Sequence, residues 1–269
     1  MEDEPDEARS RDRIQSIERG IEVLRAFDGR NSALSVADIA TKVGFSRPVV
    51  RRILLTFAHL GYAEQAHGLW NLTPRILELS VGYFGASSLP EVSYPFMSEV
   101  VERTGETCSV GTLDRHEVLH VARLEDRRPM PHSVRVGTRL PAHATATGKV
   151  LLAHLSSEAL EEFLATSPFE VHTPHTITTA AAMRDRLATI REQGFDISEE
   201  ELHPGMVAAA VAILHDGVAI GGISVSSTTV RASEEVLRQT IVPVLQEAAA
   251  RISAQYRYAN PHLSQRQHR

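Results

Sequence analysis

Apolar positions recur along this chain with a helical period first and a strand period later. Ile14, Ile17, Ile21, Leu24 and Phe27 fall three or four residues apart, which predicts an amphipathic helix over about Arg11 to Phe27 with those five side chains as its buried stripe. Asp28-Gly29-Arg30-Asn31 ends it. Ser35 opens a second helix, with Asp38 at capping-box spacing and Val36, Ile39, Ala40 and Val43 facing inward. Gly44 supplies the turn to a third helix, which starts at Ser46-Arg47. Pro48 is tolerated in its first turn, where an N–H has no intrahelical partner. Val50, Ile53, Leu54, Phe57 and Leu60 form its buried face, and Gly61 stops it. Tyr62-Ala63-Glu64 and Leu69-Trp70-Asn71-Leu72 then read as a hairpin closed at His67-Gly68. Helix, turn, helix and ribbon in this order predict a winged helix-turn-helix, with its third helix placed to enter a DNA major groove.

Thr73-Pro74 opens a fourth helix, to about Ala86, that is apolar on more than one face. Ile76, Leu77, Leu79, Val81, Tyr83 and Phe84 need a partner beyond their own domain, either a second subunit or the domain that follows. From Leu89 the texture changes. A helix is expected over Pro90 to Arg103, strands over Thr107 to Leu113, Glu117 to Leu124 and His132 to Val136, and a helix from near Ala144. Helices at about Ser157–Ala165 and Thr179–Gln193 follow, then an extended stretch from Gly194 to Glu199. Apolar strands Val207–Leu214 and Val218–Ser226 are joined by Asp216-Gly217, a strong hairpin signal. A last amphipathic helix runs from Ser233 to about Tyr256. The fold class is therefore α+β with two domains. The expected division is a disordered acidic tail (1–10), the winged helix-turn-helix (11–72), a linker helix (73–87), an α+β domain (88–258) and a polar tail (259–269).

Charge sharpens this picture. The chain carries a formal net charge of −6, but unevenly. Residues 2–7 hold five acidic side chains, residues 9–75 have a balance of +5, and residues 76–269 a balance of −6. The basic part coincides with the helix-turn-helix, as phosphate binding requires. Ser35 and Ser46, which open the two helices, join Arg47, Pro48, Val49, Arg51 and Arg52 as candidate DNA contacts. A solvated arginine face, or a wing that binds protein instead, is the competing reading.

Cys108 is the single cysteine, so no intrachain disulfide and no thiolate zinc site can form. The longest apolar run, Met206 to Leu214, is too short to span a bilayer, and the acidic N-terminus is unlike a signal peptide. A cytoplasmic protein is expected. There is no Gly-x-Ser-x-Gly elbow, phosphate-binding loop, dinucleotide fingerprint or HExxH, so neither catalysis nor a cofactor is expected. His116 and His120 lie around a turn rather than on one helix face, a poor zinc pair. Glu199-Glu200-Glu201 reads as a solvated charge run, and Cys108 has no activating base.

Two places in the second domain could hold a small molecule. Residues 139–149, RLPAHATATGK, crowd small and hydroxylated side chains at a helix start, with Arg139, His143 and Lys149 adding charge. That suits an anion, or simply close helix–sheet packing. In residues 221–226, GGISVS, strand alternation puts Gly222, Ser224 and Ser226 on one face. That face suits the floor of a polar pocket, or it meets solvent.

SVADIATKVGFSRPVVRRILLTFAHLGY, VGTRLPAHATATGKVLLA and GFDISEEELHPGMVAAAVAILHDGVAIGGISVSS together resemble the IclR family of bacterial transcription regulators, over about residues 11–258. More narrowly, LWNLTPRILELSVGY, ETCSVGTLD and VLHVAR resemble its branch controlling the β-ketoadipate pathway of aromatic catabolism. The resemblance implies a GAF-like effector-binding domain, binding to double-stranded operator DNA as a homodimer or dimer of dimers, and a small organic acid as effector. It places effector contacts at Ala146, Thr147, Ser198, Met206, Ala208, Ser224 and Ser226. Arg123, Arg139 and His143 are the candidates to meet a carboxylate, and Cys108 is counted with the effector residues. Some relatives have an acidic residue at the position of Ser198 and a cysteine at that of Ala208, so the ligands need not match. A metabolite-binding module working through protein partners, with an idle winged helix, is the alternative.

Overall fold

Helix α1 (Gln15–Arg25) does not bury the stripe its sequence announces. In the computed structural model, which describes residues 13–27, 32–85, 88–126 and 134–261, Gly20, Val23 and Ala26 face the core while Ile14, Ile17 and Ile21 are half or more exposed. The reason is close packing: a Cβ on Gly20 would sit 3.4 Å from the Phe57 ring. The small face can approach the neighbouring helix where an isoleucine face could not.

The remaining elements of this unit, which spans residues 1–83, follow their local signals. Ser35 caps α2 (Val36–Val43) through a complete capping box with Asp38, and Gly44 ends it at φ +70°. Helix α3 (Arg47–His59) has Ser46 as its N-cap residue and Pro48 in its first turn. Val50 and Leu54 are fully buried beside Ile39, Val23 and Trp70. Leu60, expected inside, is exposed, because α3 has already ended at His59. Strands β2 (Ala63–Ala66) and β3 (Leu69–Leu72) form the wing, turning at His67 and Gly68, both at positive φ. A short β1 (Ala33–Leu34) pairs with the free edge of β3.

The expected linker helix is instead a 3-10 helix, Pro74–Ser80, followed by a turn. Leu77, Leu79 and Val81 are exposed, more than half of each residue's surface meeting water.

The second unit, residues 84–269, is one six-stranded antiparallel sheet with helices on both faces. Its strands are β4 (Thr107–Asp114), β5 (Glu117–Leu124), β6 (Arg139–Pro141), β7 (Asp196–Glu199), β8 (Met206–His215) and β9 (Val218–Thr228), in the spatial order β6-β5-β4-β9-β8-β7. The strand expected at 132–136 is absent from its described residues 134–136; 132 and 133 lie outside the described residues, and the strand that pairs with β5 is β6. The β8–β9 turn has Asp216 and Gly217 at positive φ, as the type I′ signal predicts.

Helices α4 (Leu89–Thr104) and α9 (Val242–Ala259) cover one face over Val110, Val121, Ile223 and Val225, while the short α8 (Glu234–Val236) buries none of its residues. Between α8 and α9 lies a π-turn, Leu237–Ile241, beside Pro243, which has no N–H to continue the regular ladder. Helices α5 (Ala146–Leu152), α6 (Ser157–Thr166) and α7 (Ala180–Gln193) build the opposite layer, with Met183, Leu187 and Ile190 fully buried.

Glycine sets how closely α5 lies on its face of the sheet. Gly111 and Gly222 face each other across β4 and β9, and a Cβ on Gly222 would come within 3.0 Å of the Thr147 methyl. A Cβ on Gly148 would lie 2.1 Å from the Ala142 carbonyl oxygen, a contact no side chain can relieve.

Candidate functional site

In the first unit, the exposed end of α3 carries Arg47, Pro48, Arg51 and Arg52, with Val49 half-buried. Val50 and Leu54 anchor the opposite face, so the helix is held from behind and its basic N-terminal half is presented outward. Among the described residues none of these three arginines has a carboxylate partner. Arg52 and Val49 also border a groove that runs to Ile17 and Ile21 on α1 and Leu55 on α3. Ser46 is exposed at the helix start. Ser35 differs: its hydroxyl is engaged with the Asp38 backbone N–H and carboxylate, and hydrogen bonds from Ser35 hold that carboxylate below its usual pKa.

In the second unit a cleft opens between the start of α5 and the sheet. Ala146, Thr147, Ser198, Met206, Ala208, Ser224 and Ser226 all line it, together with Arg123. Register explains the grouping. Ser198 pairs with Ala208 and Ala208 with Ser226; Ala210 pairs with Ser224 and Ser224 with Ser109, so small and hydroxylated residues occupy successive strands on one face. The helix start contributes walls rather than free donors. Thr145 is the N-cap of α5, and its hydroxyl accepts from Gly148 N–H at 3.1 Å.

Arg123 reaches this face through a bulge. Val110 pairs with Ala122 and Gly111 with His120, which leaves Val121 as the extra residue and turns it into the α4/α9 core. His120 and Arg123, three apart, therefore point to the same side, and both line the cleft. The Arg123 side chain is 7% exposed; it donates to Ser109 Oγ at 3.1 Å and to Glu125 at 3.0 Å. Burial and the neighbouring Arg123 charge push the His120 pKa down to about 4, so its ring is neutral, and its buried Nδ1 has no hydrogen-bond partner among the described residues.

Three expected effector residues lie elsewhere. Cys108 pairs with Val225 on the other face of the sheet, fully buried in the α4/α9 core, where burial pushes its thiol pKa up. Arg139 is held outside by Asp114 and Glu117. His143 is buried against Phe169 and His172 with Nε2 at 3.0 Å from the Glu170 carbonyl oxygen, and burial lowers its pKa.

The sequence reading missed His120 and misjudged Glu201. Glu201 is no solvated charge: it is buried, lines the cleft and pairs with the fully buried Lys149. Lys149 also lies 3.3 Å from Asp196 and 3.4 Å from Ser198 Oγ, and Asp196 accepts from Arg186 at 2.7 Å. A lysine inside the apolar run of α5 was the one available signal. Among the described residues no three His, Cys, Asp or Glu side chains form a metal-holding group, and no helix is long and apolar enough to cross a membrane.

An exposed basic helix on a winged unit and a mostly apolar cleft with a few polar groups in an α+β unit are the features of a ligand-responsive transcription regulator. Residues 16–67 match the IclR helix-turn-helix domain and residues 82–254 the bacterial transcriptional regulator IclR C-terminal domain; the chain belongs to the IclR family. It is 36% identical over 246 residues to the Pca operon regulatory protein of Acinetobacter baylyi, covering 90% of this chain and 88% of that protein. Identity to the p-hydroxybenzoate hydroxylase transcriptional activator of the same organism is 35% over 251 residues, 91% of this chain and 92% of that one. Among solved structures, an IclR homologue from Microbacterium hydrocarbonoxydans complexed with 4-hydroxybenzoate superimposes with a TM-score of 0.80 at 29% identity, covering 90% of this chain and 99% of that one. A transcriptional regulator from Rhodococcus sp. RHA1 gives 0.81 at 33% identity, covering 92% of this chain and 100% of that one.

Proposed function

We propose that this regulator senses an aromatic acid of protocatechuate or β-ketoadipate catabolism in the α5–sheet cleft, and that binding there changes its affinity for operator DNA. The observation that carries the reading is Arg123: a guanidinium almost wholly withdrawn from water, in a cleft whose apolar walls (Val134, Leu140, Ala144, Ala146 and Ala208) are interrupted by the hydroxyls of Thr147, Ser198, Ser224 and Ser226. A buried cation facing an apolar space suits a carboxylate attached to an apolar body. The Pca and p-hydroxybenzoate relatives, and the 4-hydroxybenzoate complex of another relative, support the same ligand class.

Arg47, Pro48, Arg51 and Arg52 are the residues we assign to DNA, with Ser46 and Val49 beside them. The bare isoleucine face of α1, continued by Leu55, supports pairing of two copies, as two half-sites require. A ligand shifts such a system only by its differential affinity for two arrangements.

Isothermal titration of the full chain with protocatechuate and 4-hydroxybenzoate tests the pocket. Ser224→Leu and Thr147→Leu should abolish heat of binding while leaving operator affinity within about twofold. Ligand affinity unchanged in both variants would place the site elsewhere.

A further inference from the structure

The N-terminal half of α3 is a positive surface with no acid built against it. Among the described residues Arg47, Arg51 and Arg52 are exposed and without carboxylate partners, the helix has no acid in its first turn, and no side chain caps its start. Two other arginines of this unit are matched: Arg13 lies 2.6 Å from Glu18 and Arg75 3.2 Å from Glu78. An uncapped first turn and unpaired guanidinium groups together favour a run of negative charge.

The chain carries such a run. Residues 2–7, EDEPDE, hold five carboxylates and no cation, and lie outside the described residues. Gln15 and Ser16, at the first turn of α1, border the same groove as Val49 and Arg52 of α3. Glu7 is eight residues from Gln15, a length of chain that spans up to roughly 26–29 Å. Arg47 to Arg52 covers only about 7.5 Å of helix rise. The acidic run therefore reaches every arginine of the patch. The second unit offers it no rival, since residues 76–269 carry a balance of −6.

We propose that residues 2–7 fold back onto the N-terminal half of α3, so that DNA must displace the chain's own acidic segment to reach Arg47, Arg51 and Arg52. A segment tethered this closely is presented at about millimolar local concentration, so even a millimolar affinity makes it an effective competitor. The contact is electrostatic and exposed, so salt weakens it, the screening length being about 10 Å at roughly 0.1 M. This rests on α3 being the helix that meets DNA.

The test is titration of the full chain onto a random-sequence duplex, followed by fluorescence anisotropy. Glu2→Gln, Asp3→Asn, Glu4→Gln, Asp6→Asn and Glu7→Gln together neutralise the segment without shortening it and leave Arg9 and Arg11 in place. This variant should bind about threefold to tenfold more tightly at about 50 mM salt, and the gain should shrink at about 200 mM. Plain repulsion between segment and DNA would give the same gain whatever α3 carries, whereas docking makes the gain depend on the arginines. With Arg51→Ala and Arg52→Ala in place, neutralisation should therefore change affinity by no more than about twofold. A second readout needs no DNA. A nitroxide on Pro5→Cys, with Cys108 fully buried and out of the label's reach, should broaden the amide signals of residues 47–52, and about 1 M salt should relieve the broadening. Thermal midpoints establish that the variants are folded. No gain on neutralisation, an equal gain in the arginine variant, or broadening indifferent to salt overturns the docking while leaving the DNA reading standing. Duplex binding by the arginine variant as tight as that of the unaltered chain overturns both.

Discussion

Helix α3 and the α+β unit handle arginine in opposite ways. On α3, Arg47, Arg51 and Arg52 stand exposed on the side away from Val50 and Leu54, with no carboxylate beside them among the described residues. In the α+β unit, Arg139, Arg184, Arg186, Arg231 and Arg251 are tied to acids, and Arg123 is folded into a cleft with Ser109 and Glu125. Exposed, unpaired guanidinium groups favour a polyanion that brings its own charge. A withdrawn guanidinium favours one small anion that can follow it out of water. On the proposed reading the contrast separates output from input, and each should be open to disturbance without the other.

The largest expected effect falls on the input side. Gly148→Ala drives a methyl into the Ala142 carbonyl, where only backbone movement can make room. We expect a loss of about 3 kcal/mol or more, at the upper end for overpacking, seen as a lower midpoint for the second unit in calorimetry. The unfolding of the first unit should be unchanged.

Next come the exposed arginines. Arg47→Ala and Arg52→Ala should each weaken operator binding about tenfold to a hundredfold in gel-shift titrations. Thermal midpoints and ligand affinity should not move. Wild-type operator affinity in both variants would remove α3 from the interface.

A smaller effect is pH-dependent. With a folded pKa of about 4 against an ordinary 6.5, His120 binds fewer protons folded than unfolded. Its contribution is therefore fully present above pH 6.5 and is lost as pH falls towards 4, amounting to on the order of 2 kcal/mol at pH 5. His120→Gln should flatten the fall in stability of the second unit between pH 7 and pH 5; an unaltered pH slope contradicts the buried neutral ring.

The comparison also explains what could be read from sequence. Everything on the output side is local: the Ser35–Asp38 capping box, Gly44 in its left-handed turn, Pro48 in a first turn and the His67-Gly68 hairpin each occupy a few consecutive residues. The error there concerned packing. The Ile14–Ile17–Ile21 period was real, but its face is left bare because glycine at position 20 permits the closer approach to Phe57.

On the input side the strands and the Asp216-Gly217 turn were legible, while the site was only half so. Ser224 and Ser226 share a face by simple alternation. His120 and Arg123 share one only because Val121 is bulged out, and no pattern along β5 announces that. Glu201 meets Lys149 across 52 residues, so a run of three glutamates gave no sign that its last member is buried. Cys108 fell on the wrong side of the sheet for the complementary reason: β4 buries both of its faces, and a small apolar side chain does not say which one it joins.

The central claim is that the cleft and α3 are energetically coupled. It is tested most directly by titrating the full-length protein onto an operator fragment selected from random-sequence DNA, with and without saturating protocatechuate and, separately, 4-hydroxybenzoate. Coupling of the usual size predicts that at least one acid moves the DNA midpoint by roughly 5- to 150-fold. Superimposable curves, with calorimetry proving that the acid is bound, would contradict the account.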